Sequence, residues 1–295
     1  MASKQIKLRP RKHGAYNLEL NQGVYDILSL FFEFKIASST HVTRLLLQKE
    51  YQRYMYFKLT RMWQAGLLEC FRPYPQALNG VPLYYFLSQK GLSALEDKGV
   101  YGRELIQKYP ASQILLREDL FEHEKEISEL ASLEAKIVSS DLAISFKGEI
   151  SSVAHGLRSE KSVEVFTPDY AAFYGYNGRQ FTVYTEYERT KKSKEAMLKK
   201  IDRYLLHLDP EEQKVAILRI IFETENMEKT FWKQILYEQP ELLQTLKIFT
   251  TALPFLCTSE QFREPVYATD ETVDFEQGGR VVVDPSKRLK LFYFL

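Results

Sequence analysis

The hydrophobic pattern of the first hundred residues changes from helical spacing to extended spacing and back to helical spacing. Apolar residues recur every three or four positions in three segments, and the first two segments follow residue types that cap helices. Two extended segments come next, on either side of a loop that contains Pro, Gly and Asn. The predicted elements are helices at Asn21–Glu33, after Ser38-Ser39-Thr40 and at about Tyr51–Ala65, strands at Leu67–Phe71 and Val81–Leu87, and a last helix after Ser88.

The remainder of the chain alternates between amphipathic helices and strands. A long helical stripe that begins near Leu120 is followed by three extended segments, and a lysine-rich helix comes directly after the third. Two apolar strands, separated by another helix, lie beyond it. The predicted strands are Asp141–Glu149, Val163–Tyr170, Phe181–Thr190, Val215–Phe222 and Leu246–Leu256. The order αβββαβαβ predicts a mixed sheet with helices on its faces.

Composition and charge narrow the class of protein. No apolar run reaches the ~18 residues that cross a bilayer, and the basic N-terminal segment has no apolar stretch behind it. Cys70 and Cys257 lack metal-type spacing, which favours a reduced, cytoplasmic compartment. Residues 1–100 hold 14 Lys and Arg against 7 Asp and Glu, whereas the rest of the chain holds 26 against 32. A basic first third ahead of an acidic remainder suggests a polyanion-binding module joined to a second domain.

The elements of the first hundred residues are those of a winged helix-turn-helix. The run from Leu59 to Leu68, the hairpin and the segment Leu87-Ser88-Gln89-Lys90-Gly91-Leu92 resemble winged-helix DNA-binding domains, whose third helix enters the major groove. Arginine and lysine anchor phosphates, and glutamine and arginine also read base edges. The candidate DNA-binding face carries Gln52, Arg53, Tyr54, Lys58 and Arg61 on the third helix, with Arg72 beside the wing. The alternative is a winged helix that binds protein and whose charges are simply solvated.

Two predicted strands of the second half carry carboxylates. The first closes with Pro168-Asp169, and the second places Glu186 and Glu188 on one face because strand side chains alternate. The residues Tyr174–Gly178 predict a turn between them, since Asn and Gly accept the positive φ of tight connections. If the strands pair, Asp169 and Glu186 come close together at one edge of the sheet. Their mutual repulsion predicts a divalent cation or a basic partner at that edge.

The helix, three strands and lysine-rich helix, with Pro168-Asp169 on the second strand and Glu186 on the third, resemble the restriction-endonuclease-like fold. The resemblance implies that Asp169 and Glu186 hold a divalent metal and that a lysine two residues after the glutamate assists the attacking water. Glu188 occupies that position here and could act only as a further metal ligand. Lys200 on the next helix is the candidate substitute for the lysine. Two acids of the preceding helix could complete the cluster, Glu124 and Glu126.

A second resemblance covers about residues 20–255. It is carried by a winged-helix front, His123-Glu124 at the opening of a helix, the Pro168-Asp169 strand, the run Glu186-Tyr187-Glu188-Arg189-Thr190, and Lys200 and Tyr204. The chain thereby looks like the replication-relaxation family of plasmids and integrative conjugative elements. This resemblance implies an accessory DNA-binding protein of replication, relaxation or mobilisation, with a relaxase or a replication protein as its partner.

These patterns together predict an α/β (α+β) protein, in which a winged helix-turn-helix precedes a restriction-endonuclease-like αβββαβ domain. The expected regions are a basic arm (1–18), the winged-helix domain (19–100), a linker (101–117), the nuclease-like domain (118–257) and a C-terminal tail (258–295). We expect the tail to dock on the body of the protein or on a partner, because it ends in apolar residues.

For function, we expect a cytoplasmic accessory protein that binds double-stranded DNA, whose nuclease-like domain is degenerate and serves for docking or DNA contact. One alternative is a metal-dependent endonuclease that uses Asp169, Glu186 and Lys200, with Mg²⁺ or Mn²⁺ held by Asp169, Glu186 and Glu188. The other is a transcriptional regulator whose second domain forms a homodimer or binds a partner.

Overall fold

The computed structural model describes residues 6–11, 17–49, 52–73, 82–138, 142–152, 167–176, 178–190, 192–207, 216–238, 247–258, 260–262, 267–276 and 280–290. The chain divides into two compact units, residues 1–136 and residues 137–295. Each unit combines helices with a sheet, so the protein belongs to the mixed α/β class, as the sequence predicts.

The first unit packs helices around a small antiparallel sheet. Its helices are α1 (Gln22–Glu33), α2 (Ser39–Leu47), α3 (Arg53–Gln64), α4 (Gln89–Asp97), α5 (Arg103–Ile106), α6 (Ser112–Leu115) and α7 (Glu118–Ala135). Its strands are β1 (Ala37–Ser38), β2 (Leu68–Phe71) and β3 (Tyr84–Leu87), in the order β1-β3-β2. The helices and strands predicted between residues 21 and 87 are present, with bounds that differ by a few residues.

The ends of these helices are set by local side chains. Asn21 accepts a hydrogen bond from the Val24 backbone at the start of α1 (3.2 Å), and Ser88 accepts one from Gly91 at the start of α4 (3.1 Å). Ser38 forms a capping box with His41 at the start of α2. These bonds satisfy backbone donors that a helix leaves unpaired in its first turn.

The segment predicted as a linker, residues 101–117, packs into the first unit. Leu115 is fully buried, and the buried hydroxyl of Tyr109 donates to the Lys35 carbonyl (3.1 Å) and accepts from the Leu87 amide (3.2 Å). These contacts tie the connection between α5 and α6 to β3 and to the segment that follows α1, so residues 101–117 are a structural part of this unit.

Helix α7, which the sequence assigns to the second domain, packs against α2 in the first unit. Glu124 forms a buried ion pair with Lys35 (2.6 Å), and Glu129 receives hydrogen bonds from His41 and Arg44 (2.8 Å each). Burial alone would raise the pKa of Glu129, but His41 and Arg44 outweigh burial and lower it to about 2. The first compact unit therefore ends after α7 and not before it.

Part of the predicted basic arm also belongs to this unit. Leu8 forms an antiparallel bridge with Phe71, and the Arg9 amide donates to the Cys70 carbonyl (2.8 Å). Arg11 donates to the Glu69 carboxylate (2.6 Å) and to the Trp63 carbonyl (3.0 Å). Residues 6–11 therefore cover the outer edge of β2, whereas residues 1–5 and 12–16 of the arm lie outside the described part of the chain.

The second unit is built on a sheet with the strand order β4-β5-β6-β7-β8. Its elements are β4 (Leu142–Gly148), α8 (Glu149–Ser152), β5 (Tyr170–Tyr176), β6 (Arg179–Glu188), α9 (Lys194–His207), β7 (Ala216–Phe222), α10 (Glu225–Glu238) and β8 (Lys247–Ala252). β4, β5 and β6 pair antiparallel, whereas β6, β7 and β8 pair parallel. Helices α9 and α10 connect the parallel strands and contribute Ile201, Tyr204 and Trp232 to one apolar core with the sheet.

The C-terminal region continues the second unit. Strands β9 (Val273–Glu276) and β10 (Arg280–Val283) form a hairpin, and Ala268 bridges to Thr250 of β8. The buried Arg288 guanidinium pairs with Glu228 of α10 (2.6 Å). Residues 267–290, where they are described, thus dock on the body of the protein, and residues 291–295 lie outside the described part.

Within the described residues, no helix combines the length and the apolar character that crossing a bilayer demands.

Candidate functional site

The strand register brings the acidic residues of the second unit together. Tyr170 of β5 pairs with Thr185 of β6, so Asp169, immediately before β5, lies at the end of β6 that carries Glu186. The Asp169 carboxylate accepts a hydrogen bond from the Tyr187 amide (2.6 Å). The backbone of β6 therefore positions Asp169 beside its own acidic residues.

The strand predicted at Val163–Tyr170 differs from the observed one. Residues 167–169 are not in a strand, β5 begins at Tyr170 and continues through Tyr176, and residues 153–166 lie outside the described part. Gly178 adopts a φ of +77° between β5 and β6. The turn is thus shorter than the predicted Tyr174–Gly178, because aromatic residues that suit a strand extend β5. Asp169 lies next to Glu186 because β5 begins directly after Asp169 and runs antiparallel to β6.

Lys200 reaches this cluster from α9. Met197, Ile201 and Tyr204 bury one face of α9 against the sheet, and Lys200 lies beside that face. Its ammonium group contacts the Glu186 carboxylate and lies 2.7 Å from Glu188. Lys200 lies three residues after Met197 and four before Tyr204, so helical spacing alone places it on this side of α9.

A second lysine also contacts Glu188. The Lys192 ammonium lies 2.8 Å from the same Glu188 oxygen that contacts Lys200. Lys192 was not among the predicted site residues, although its spacing of four residues after Glu188 was a usable signal. We call Asp169, Glu186, Glu188, Lys192 and Lys200 the acid–lysine cluster.

The electrostatics of the cluster follow from burial and from an excess of carboxylates. Burial raises the pKa of Glu186; Lys200 opposes this, and the charges of Asp169 and Glu188 raise it further. Burial lowers the pKa of Lys200, but the three carboxylates outweigh burial, so its pKa lies above the usual lysine value. Lys200 is therefore a protonated ammonium group that neutralises buried negative charge.

One carboxylate oxygen of Glu186 can still accept a hydrogen bond or bind a cation. Its Oε1 atom is buried without a hydrogen-bond partner among the described residues, whereas Oε2 contacts Lys200. A buried polar atom left unpaired costs about 1–3 kcal/mol, which a bound water or cation would relieve. Across the described part of the chain, however, no group of three or more His, Cys, Asp or Glu side chains is placed to hold a metal ion. Here the two lysines occupy carboxylate oxygens that a metal would need.

The two additional acids proposed for this cluster lie in the first unit. Glu124 is paired with Lys35, and Glu126 lies 3.1 Å from Lys125. Both acids lie on α7, and both form their ion pairs with lysines of the first unit.

The second candidate surface is the outward face of α3 in the first unit. Arg53 and Arg61 are exposed, and so are the rings of Tyr54 (64%) and Phe57 (48%). The Arg53 guanidinium lies 5.4 Å from the centre of the Phe57 ring. Phe57 was not among the predicted residues of this face, although it lies four residues from both arginines and so shares their side of the helix.

The remaining predicted DNA-binding residues differ in their surroundings. The Lys58 ammonium donates to the Gly23 carbonyl (2.8 Å) and so ties α3 to the start of α1. Gln52 precedes α3 and makes no side-chain capping bond to any described residue. Arg72 is exposed just after β2. α3 itself holds three basic residues and no acidic one among its 12 residues, so the exposed face is cationic.

Comparisons of the chain with family models, with curated proteins and with solved structures found no match in any of the three.

Proposed function

We propose that this protein is a cytoplasmic DNA-binding accessory protein of a mobile genetic element, of the kind that the replication-relaxation resemblance implies. In this proposal the first unit is a winged helix that binds duplex DNA through α3. The second unit is a degenerate nuclease-like domain that docks a partner, such as a relaxase or a replication protein, or contacts the DNA.

The observation that carries this proposal is the outward face of α3. Arg53 and Arg61 are exposed two turns apart on a helix without acidic residues. Arg53 lies in the first turn, where the positive end of the helix dipole disfavours a cation. An arginine at this position therefore lowers the stability of the free protein. Its presence is explained if it contacts negatively charged DNA.

The test is a gel-shift titration of the full chain with a duplex oligonucleotide at several salt concentrations. Replacing Arg53 and Arg61 together by Ala should weaken binding at least ten-fold at low salt, because two guanidinium groups would no longer contact the polyanion. The control is Arg103→Ala on α5, whose side chain is 78% exposed. Equal loss in the control and the double variant, or undiminished binding by the double variant, would refute a role for α3.

A second candidate function, a metal-dependent DNA endonuclease, is favoured by the position of Lys200. A lysine that contacts Glu186 and Glu188 supplies, from α9, the cation that the strand itself lacks. Asp169, Glu186 and Glu188 would hold Mg²⁺ or Mn²⁺, which would polarise a phosphate and lower the pKa of a bound water. Glu186 Oε1, which has no hydrogen-bond partner among the described residues, fits a metal ligand, whereas Glu186 Oε2 and Glu188 Oε1, which contact lysines, do not.

A plasmid-nicking assay with Mg²⁺ or Mn²⁺ separates the two functions. We expect no nicking by the wild-type protein. Cleavage that requires metal and that Asp169→Asn abolishes would establish the endonuclease instead.

A further inference from the structure

The two aromatic rings on the outward face of α3 are not needed for the core of the first unit. α3 buries Met55, Leu59, Met62 and Trp63 on its inner side. Tyr54 and Phe57 project from the opposite side and leave 64% and 48% of their surface exposed. A phenylalanine ring does not bind a phosphate, and a tyrosine binds one only through its hydroxyl, so the cationic role proposed for α3 does not account for the apolar surface of the two rings.

The two arginines and these two aromatic rings of α3 lie on one side of the helix. At 100° per residue, Arg53, Phe57, Arg61 and Tyr54 fall within an arc of about 100°. The Arg53 guanidinium lies over the Phe57 ring, which restrains a long side chain that would otherwise be free to move. The face therefore presents guanidinium groups with an apolar surface directly beside them.

We propose that Tyr54 and Phe57 contact thymine methyl groups in the major groove, next to guanines read by the arginines. This inference rests on the proposed DNA-binding function and specifies its ligand: duplex DNA with adjacent T·A and G·C pairs. The major groove admits an α-helix, and the C5-methyl of thymine is the apolar group that base edges present there. Arginine meets guanine O6 and N7 with two hydrogen bonds, which a restrained guanidinium favours.

The spacing of the rings fits this ligand. Tyr54 and Phe57 are three residues apart, which is ~4.5 Å along a helix axis. One base-pair step of a DNA strand rises 3.4 Å, so the rings would meet methyl groups one or two base pairs apart. Unpaired bases stacked on the rings are the competing ligand, and the test below distinguishes it.

The experiment begins with duplexes of 24 base pairs selected from a random pool by the full-length protein. The selected duplex is then synthesised again with deoxyuridine in place of thymidine, which removes only the methyl groups. Burial of one CH₂-sized group changes affinity roughly four-fold, so two contacted methyls should give the thymidine duplex a preference of roughly ten-fold or more. Tyr54→Ala and Phe57→Ala should each lose part of this preference.

For each variant, the affinity for the thymidine duplex is divided by the affinity for the deoxyuridine duplex. This preference ratio does not depend on how much of that variant is folded. Arg61→Ala should weaken binding to both duplexes and keep more of the preference than the ring variants do. Ile114→Ala, which removes a 47% exposed apolar side chain elsewhere in the same unit, should leave the preference unchanged. Equal binding of the thymidine and deoxyuridine duplexes, or tighter binding of the single strand, would overturn this inference while leaving DNA binding intact. Failure to bind any duplex would overturn the proposed function, and this inference with it.

Discussion

Replacing Lys200 by Met should destabilise the second unit strongly, because Lys200 neutralises two buried carboxylates. Glu186 and Glu188 have side chains that are only 4% and 2% exposed, and the Lys200 ammonium contacts both. Methionine keeps most of the volume of the lysine stem and removes the charge. The variant therefore tests the electrostatic role of Lys200 more than its packing.

The expected loss can be estimated from burial. Removing one partner of a buried ion pair costs about 3–5 kcal/mol, because the remaining charge stays desolvated and unpaired. The Lys200 side chain is 21% exposed, so water can partly replace it, and the lower end of that range applies. We expect a loss of about 3 kcal/mol in the free energy of unfolding at pH 7.5. For a unit of this size that corresponds to a fall in Tm of roughly 6–12 °C.

The assay is urea unfolding followed by tryptophan fluorescence. The chain has two tryptophans, and Trp63 lies in the first unit whereas Trp232 lies in the core of the second. In a Trp63→Phe background the fluorescence reports on the second unit alone. Lys199→Met, which changes an exposed lysine of the same helix, is the matched control and should stay within about 0.5 kcal/mol of its parent.

The loss should also depend on pH. Burial raises the pKa of Glu186 in the folded protein, and removing Lys200 should raise it further. A raised folded-state pKa contributes stability at low pH that is lost as pH rises through the folded value. The deficit of Lys200→Met should therefore be smaller at pH 5 than at pH 8. A loss equal to that of Lys199→Met at both pH values would refute the view that Lys200 neutralises the buried carboxylates.

Two further predictions concern the first unit. Gly91→Ala should cost about 2 kcal/mol, since a Cβ there would lie 2.2 Å from the Leu67 carbonyl oxygen. Gly102→Ala, with nothing within 4 Å of its Cβ, should be near neutral when both variants are compared by thermal unfolding, and equal effects would refute the close approach. Glu129→Gln should destabilise the protein at neutral pH. The wild-type pKa of Glu129 is lowered to about 2, so its contribution is lost as pH falls from about 4.5 towards 2, and the deficit should shrink there. A deficit that stays constant from pH 7 to pH 3 would contradict this.

Much of the first unit was predictable from sequence because its signals are local. The caps Asn21, Ser38 and Ser88 act on backbone donors within three residues, and each is present where the sequence predicts it. The outward position of Arg53 and Arg61 likewise follows from helical periodicity alone. Neither feature depends on how distant parts of the chain pack.

Contacts between distant residues were not predictable in the same way. Residues 101–117 resemble a linker by composition, yet Tyr109 is bonded to Lys35, which is 74 residues away. Helix α7 has an apolar stripe that could face any partner, and only packing assigns it to α2 through Glu124 and Glu129. Periodicity identifies the face that a helix buries, but it does not identify the surface that covers this face.

The acid–lysine cluster was determined by sequence and tertiary structure together. The sequence identified Asp169, Glu186, Glu188 and Lys200 by type and spacing, and it predicted that a basic group or a cation would accompany the acids. Only the fold showed that Lys200, named as a candidate from the sequence, reaches the acids together with Lys192, because the crossover from β6 to β7 lays α9 over the sheet. It also decided the register that sets Asp169 beside Glu186, since strand pairing depends on contacts between segments and not on the residues of either strand alone.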